Sequence, residues 1–125
     1  MNLKDFTGVE YINLITYKRD KTPITTPVWV ADFSNSLVIT TSLNAGKVKR
    51  VRNNGKATIY ITNQSGSKKL SESLDLEASL IEDVDLKKQA ADLIRKKYGM
   101  MAKMIMKGPD ENRAIIRLEK KGGEK

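Results

Sequence analysis

Four cations, Lys47, Lys49, Arg50 and Arg52, fall within six consecutive residues, a few positions after the hydroxyl-bearing Thr40, Thr41 and Ser42. Gathered at the start of a helix, these residue types make a socket for a phosphate. The first turn of a helix presents N–H groups without intrahelical acceptors and a partial positive charge, so nearby Lys and Arg reinforce a field the backbone already supplies. The sequence predicts such a helix. Asn44 is a candidate N-cap, Val48 and Val51 mark a buried side, Lys47 and Arg50 share another, and Gly55 supplies a left-handed cap after about Asn53. A solvated basic face is the plainer reading of the same charges.

The chain has neither Cys nor His. That removes disulfides, thiol nucleophiles, imidazole bases and nearly all zinc, haem and iron–sulfur sites. Chemistry is left to carboxylates, Lys, Tyr, hydroxyls or a bound cofactor, and no catalytic side chain or metal-ligand set stands out. The net charge of +8 is local: residues 34–71 hold Lys47, Lys49, Arg50, Arg52, Lys56, Lys68 and Lys69 and no acid, while the flanking stretches nearly balance. This concentration favours a small anionic ligand over a polyanion track. A basic small barrel that binds single-stranded nucleic acid is the alternative, disfavoured because only Tyr60 is well placed among the cations to stack a base.

The elements that must position the socket follow from periodicity. At 125 residues the chain forms one domain, expected over residues 1–120 with a disordered tail at 121–125. The N-terminal MNLKDFTGVEYI lacks the apolar run of a signal peptide, and no segment approaches the ~20 apolar residues of a membrane span, so a cytoplasmic protein without membrane contact is expected. Residues 2–10 read as a short helix or arm. Strands are expected at Tyr11–Lys18, Ile24–Phe33, Ser36–Ser42, Ala57–Thr62, Glu72–Asp83 and Arg113–Glu119, with a turn at Ser34-Asn35. Pro27 lies mid-strand and marks an edge or a bulge. A helix is expected over Leu86–Tyr98, with Leu86, Ala90, Ala91, Leu93 and Ile94 as its apolar stripe and Gly99 as its stop. The Met-rich segment in the loop 99–109 reads as adaptable packing, or as a flexible apolar wall beside a pocket. Six strands with one short and one longer helix give a mainly β fold, a small antiparallel barrel with peripheral helices; an open α+β sheet is the alternative.

Taken in order, a strand bearing TTPVW, a strand ending TTS and GKVKR opening a short helix resemble the flavin-binding split-barrel family that includes pyridoxamine 5′-phosphate oxidase. The likeness is closest to its branch that binds the deazaflavin coenzyme F-420. It is strongest over residues 11–63 and continues as an arrangement of elements through the last strand. The resemblance implies a six-stranded antiparallel FMN-binding split barrel that forms a homodimer with the cofactor, F-420 or FMN, at the subunit interface. It places Thr25, Thr26, Pro27, Val28 and Trp29 along the ring and ribityl chain, and Thr40, Thr41 and Ser42 near ribityl or phosphate oxygens. Gly46 and Lys47 hold the phosphate, with Arg50 and then Lys49 as further contacts. The implied activity is hydride transfer to or from a small-molecule substrate, or cofactor carriage without turnover. The absence of a late His, and the early end of the sequence, depart from the vitamin B6 oxidases of that family and argue against their reaction.

Overall fold

The structure, a computed structural model, describes residues 1–106 and 108–121. The part of the expected tail after Lys121 lies outside the described residues. A single 3-10 turn, Leu3–Phe6, opens the chain and buries Phe6. Then come β1 (Ile12–Tyr17), β2 (Pro23–Val28), β3 (Ala31–Phe33), β4 (Ser36–Ser42), α1 (Gly46–Asn54), β5 (Lys56–Ile61), β6 (Leu74–Leu80), α2 (Val84–Tyr98), α3 (Met100–Ile105) and β7 (Arg113–Glu119). The strands form one antiparallel sheet in the order β2-β1-β5-β6-β7-β4-β3.

Alternation of side chains gives the sheet two apolar faces. The inner face gathers Ile12, Leu14, Leu37, Ile39, Ile59, Leu76, Ile116 and Leu118 with Val51 of α1. Ala57 and Ile59 point into it, with Ile61 packed at its margin, as the alternation of β5 predicts. The outer face carries a second core beneath α2, where Phe33, Val38 and Ile115 meet Ala90, Ala91 and Ile94. α1 packs against β1 and β6 and ends as expected at Gly55, whose φ of 65° is left-handed and whose N–H reaches the Val51 carbonyl. A Cβ on Gly55 would also lie 3.2 Å from the Ala78 carbonyl oxygen.

The sheet has seven strands where six were expected, because the run Ile24–Phe33 divides at Trp29-Val30. The Val30 N–H donates to the Tyr98 hydroxyl at 3.0 Å, and its carbonyl accepts from Lys97 Nζ and the same hydroxyl. Trp29 stacks on the Tyr98 ring with centroids 4.3 Å apart. The end of α2 thus takes the backbone bonds a strand would have made, and the chain leaves β1 to pair with β4. Both residues of the Ser34-Asn35 turn have positive φ, the geometry that a tight hairpin needs.

Three further expectations are corrected. The residue before α1 is Ala45, not Asn44, and no side chain caps the helix. α2 packs through Ala90, Ala91 and Ile94, whereas Leu86 and Leu93 remain 37% and 39% exposed. At 3.6 residues per turn they lie roughly 90° around the helix from the contact that the two alanines permit. Segment 99–109 is not a plain loop: Gly99 ends α2, and Met100–Ile105 restarts as a short helix of good helix formers. Pro27 sits in β2, at the margin of the sheet, in keeping with the edge reading.

Candidate functional site

Among the described residues, no strand pairs with the outer edge of β2 or with the far side of the second half of β4. β2 pairs only with β1. β4 pairs with β7 along Leu37–Ser42, but with β3 only at Ser36–Val38, so its second half has one free side. Pro27, Val28 and Trp29 of the first edge and Thr40, Thr41 and Ser42 of the second line one cleft of about 350 Å³, together with Tyr11, Lys47, Ile105 and Arg113. Unpaired strand edges carry backbone donors and acceptors that a planar polar ligand can meet.

The electrostatics of the cleft come from Lys47 and Arg113. Burial pushes the Lys47 ammonium below its ordinary pKa, with repulsion from Arg50 adding to the shift. Burial likewise lowers the Arg113 guanidinium, again with a contribution from a neighbouring cation, Arg95. Neither forms an ion pair among the described residues. Arg113 spends one donor on Thr40, Nε to Oγ1 at 2.9 Å, which aims the group along β4. Asp110, whose charge pulls the Arg113 pKa the other way, is engaged by Arg95, which holds that carboxyl below the usual carboxylate range. The start of α1 adds to this field. No side chain caps the helix, its first turn has no acid, and the N–H groups of Gly46 and Lys47 have no acceptor among the described residues. Two half-buried cations and open amides, with no carboxylate in the lining, form a site for an anion.

Of the residues proposed from sequence, seven line the cleft: Pro27, Val28, Trp29, Thr40, Thr41, Ser42 and Lys47. Five do not. Thr25 is exposed, and Thr26 turns its hydroxyl into a buried position without a hydrogen-bond partner. Lys49 is exposed on α1. Arg50 reaches back to β1, donating from Nε to the buried Thr16 hydroxyl at 2.6 Å, and an added Cβ on Gly46 would stand 2.8 Å from its Nη1. Trp29 has one ring face occupied by Tyr98, so only its remaining surface is offered to the cleft.

Tyr11, Ile105 and Arg113 are the lining residues that sequence reasoning missed. Arg113 opens β7 directly opposite Ser42, and a register for β4 against β7 would have revealed it. Larger hollows, of about 610 and 730 Å³, lie elsewhere on the surface. Volume alone does not select a site. The cleft at the split is distinguished by its free edges and its half-buried cations, which form no ion pair among the described residues.

No protein-family model and no curated protein matches the chain. Its fold does match solved structures. The heme storage protein HutZ from Vibrio cholerae superposes with a TM-score of 0.73 at 18% identity, covering 98% of this chain and 93% of that one. A protein from Listeria innocua, provisionally assigned as a pyridoxamine 5′-phosphate oxidase, gives 0.64 at 17% identity over 87% and 82% of the two chains. An F-420 reductase gives 0.63 at 15% identity over 98% and 95%. At these identities the likeness establishes the fold. The chain is a mainly β split barrel of the pyridoxamine 5′-phosphate oxidase-like architecture, with seven strands, and the resemblance carried by TTPVW, TTS and GKVKR holds at that level.

Proposed function

We propose that this protein binds a phosphorylated flavin-type cofactor, FMN or the deazaflavin coenzyme F-420, in the split between β2 and β4, and works as an oxidoreductase on a small-molecule substrate. The observation that carries this reading is the pairing of Lys47 and Arg113, half-buried and in no ion pair among the described residues, beside the uncapped start of α1. A cation held in a partly desolvated cleft without a counter-ion is costly unless an anion arrives. Lys47, through its ammonium and its amide, would hold the phosphate. Arg113 would give its remaining N–H groups to phosphate or ribityl oxygens, and Thr40 and Ser42 would add hydroxyls along the same strand. The exposed edges of β2 and β4 would align the polar rim of the ring, with Val28 and Trp29 as its apolar wall. When bound, such a cofactor supplies the two-electron, hydride-carrying ring, and the chain needs no side-chain base. The cleft is open to one side, so a second copy of the chain is the proposed source of its other wall.

FMN and F-420 share the phosphate and ribityl chain that these residues would recognise, and the fold is found both in a pyridoxamine oxidase-type protein and in an F-420 reductase. Titration of the purified protein with each cofactor, followed by absorbance and fluorescence, tests the reading. Saturable binding that weakens in Lys47→Ala and in Arg113→Ala is expected. Failure of the wild-type protein to bind either cofactor would defeat the proposal. A coloured protein that reduces no acceptor would narrow it to a carrier. The fold likeness to HutZ makes heme the second titrant. With no His or Cys in the chain, an axial ligand would have to come from another residue type, which favours the flavin reading.

A further inference from the structure

A second concentration of unpaired cations lies at the opposite end of α1 from the cleft. The β1–β2 turn, the last residues of α1 and the first of β5 enclose a groove of about 610 Å³ lined by Lys18, Arg19, Lys21, Lys56, Tyr17 and Asn53. None of the four cations forms an ion pair among the described residues. Asp20, the only acid in the turn, does not line the groove, and its carboxylate is engaged by the Thr22 N–H at 3.0 Å. The groove is also fixed in shape. Asn54 donates to the Tyr17 carbonyl at 3.0 Å and accepts from the Lys56 N–H at 2.9 Å, while the Tyr17 hydroxyl is 2.7 Å from that of Thr58.

The hairpin turn fixes the place of one of these cations: the Lys21 N–H donates to the Lys18 carbonyl at 2.8 Å and the Lys18 N–H to the Thr22 carbonyl at 3.0 Å. Lys21 has φ of 72°, in the left-handed region where glycine or asparagine sits with least strain and a long side chain is uncommon. The carbonyl end of α1, with a partial charge of about one half, and the Asp20 carboxylate, which interacts with Lys18, both oppose an anion here, but together they do not cancel four full positive charges.

The extent of the positive surface limits the ligand. Along the sheet the groove adjoins a hollow of about 730 Å³ that shares Tyr17, Asn54 and Lys56 but is lined by Asp75, Glu77 and Glu119. Glu77 stands directly across from Lys56 in the strand register. A long polyanion continuing in that direction would meet carboxylates, whereas a chain of two or three phosphates would stay among the cations. We propose that this groove binds a short polyphosphate, of the kind carried by a nucleoside triphosphate, with the four cations on the phosphates and Tyr17 beside the attached group. This site is separate from the cleft at the split and does not depend on the cofactor reading.

The test uses tripolyphosphate and ATP, each titrated into the full-length protein at about 0.1 M salt, where bulk screening removes weak surface attraction. Saturable binding is expected, with the largest amide shifts at Lys21, Asn53 and Lys56 in heteronuclear spectra. The double variant Lys21→Gly, Lys56→Ala should keep its melting temperature, because glycine relieves the strain at position 21, yet bind roughly tenfold or more weakly through the loss of two phosphate contacts. Lys47→Ala should bind as the wild type does, which separates this site from the cofactor cleft. Equal affinities for ATP and tripolyphosphate would show that the phosphates alone are read, and tighter ATP would add the nucleoside. Absence of saturation, shifts centred on Lys47 and Arg113, or a double variant that binds unchanged would overturn the proposal. So would an oligonucleotide whose affinity grows with length and exceeds that of ATP, the mark of a nucleic-acid track.

Discussion

Lys47 and Arg113 each bring a full charge into the cleft, and each is expected to contribute one or two charge-assisted hydrogen bonds to a bound phosphate. Such bonds are worth about 1.5–3 kcal/mol, so Lys47→Ala and Arg113→Ala should each weaken cofactor binding by roughly 10–100-fold while leaving the melting temperature nearly unchanged. The pH dependence follows from the direction of the Lys47 shift. Its pKa in the folded protein lies below 10.5, so the cation needed for binding is lost before that pH is reached. Affinity should therefore hold near neutrality and fall on the alkaline side at lower pH than an exposed lysine would dictate. That alkaline limb should shrink in Lys47→Ala, and dissociation constants measured across the range check it. Lys47 was legible because GKVKR announces a helix start in the sequence itself. Arg113 was not: it meets Thr40 from 73 residues away, and only the pairing of β4 with β7 brings the two together. Arg50 shows the converse. Its spacing from Lys47 put it on the same side of the helix, yet packing against β1 directs its guanidinium to Thr16.

At the level of elements, α2 does two jobs, closing the outer core and holding the chain where it crosses from β2 to β3. Ile94 is fully buried beneath it, and Ile94→Ala should cost about 2–5 kcal/mol, read as a fall in the chemical-denaturation midpoint. The ion pair between Arg95 and Asp110 fastens the turn that leads into Arg113. Because Arg95 holds the Asp110 pKa below 3.8, this contribution is present above that pH and is lost as pH falls through the lowered value. Asp110→Asn should lower stability by about 1 kcal/mol at neutral pH, and the difference from wild type should vanish in strong acid. Strand and helix positions were largely readable: Ser36–Ser42 and Arg113–Glu119 match the sequence expectation at both ends, and the others shift by a few residues. What could not be read was the break at Trp29-Val30. It depends on Tyr98 and Lys97, remote in sequence, competing successfully for backbone groups that local β propensity assigns to a strand.

For the whole molecule, the open side of the cleft and the exposed apolar surface of α3 belong to one question. Met100, Met104 and Ile105 are 79%, 69% and 56% exposed, and Ile105 also lines the cleft. If a second copy supplies the missing wall, as proposed, light scattering should find a dimer, and Ile105→Arg should weaken both self-association and cofactor affinity. A monomer that binds cofactor at full strength would refute that part of the reading. Ligand binding should also register globally: cofactor at about 100 times its dissociation constant should raise stability by about 2.7 kcal/mol, visible as an upward shift in thermal unfolding. No helix among the described residues is long and apolar enough to cross a membrane. Of the cations concentrated in residues 34–71, Lys47 lines the cleft and Lys56 the groove at the far end of α1; the other cations of those two hollows, Arg113 and Lys18, Arg19 and Lys21, come from the flanking stretches.

The clasp on Val30 has a consequence for how the cleft behaves. The two lips, β2 and β4, belong to one continuous stretch of chain, and Tyr98 and Lys97 grip that stretch between them. The opening is thus tethered like a spring clip held at its bend, with its gauge set by a tyrosine hydroxyl that is not among the lining residues. Tyr98→Phe would leave a buried amide unanswered, and the expected sign is a faster escape of bound cofactor from a barrel that still folds.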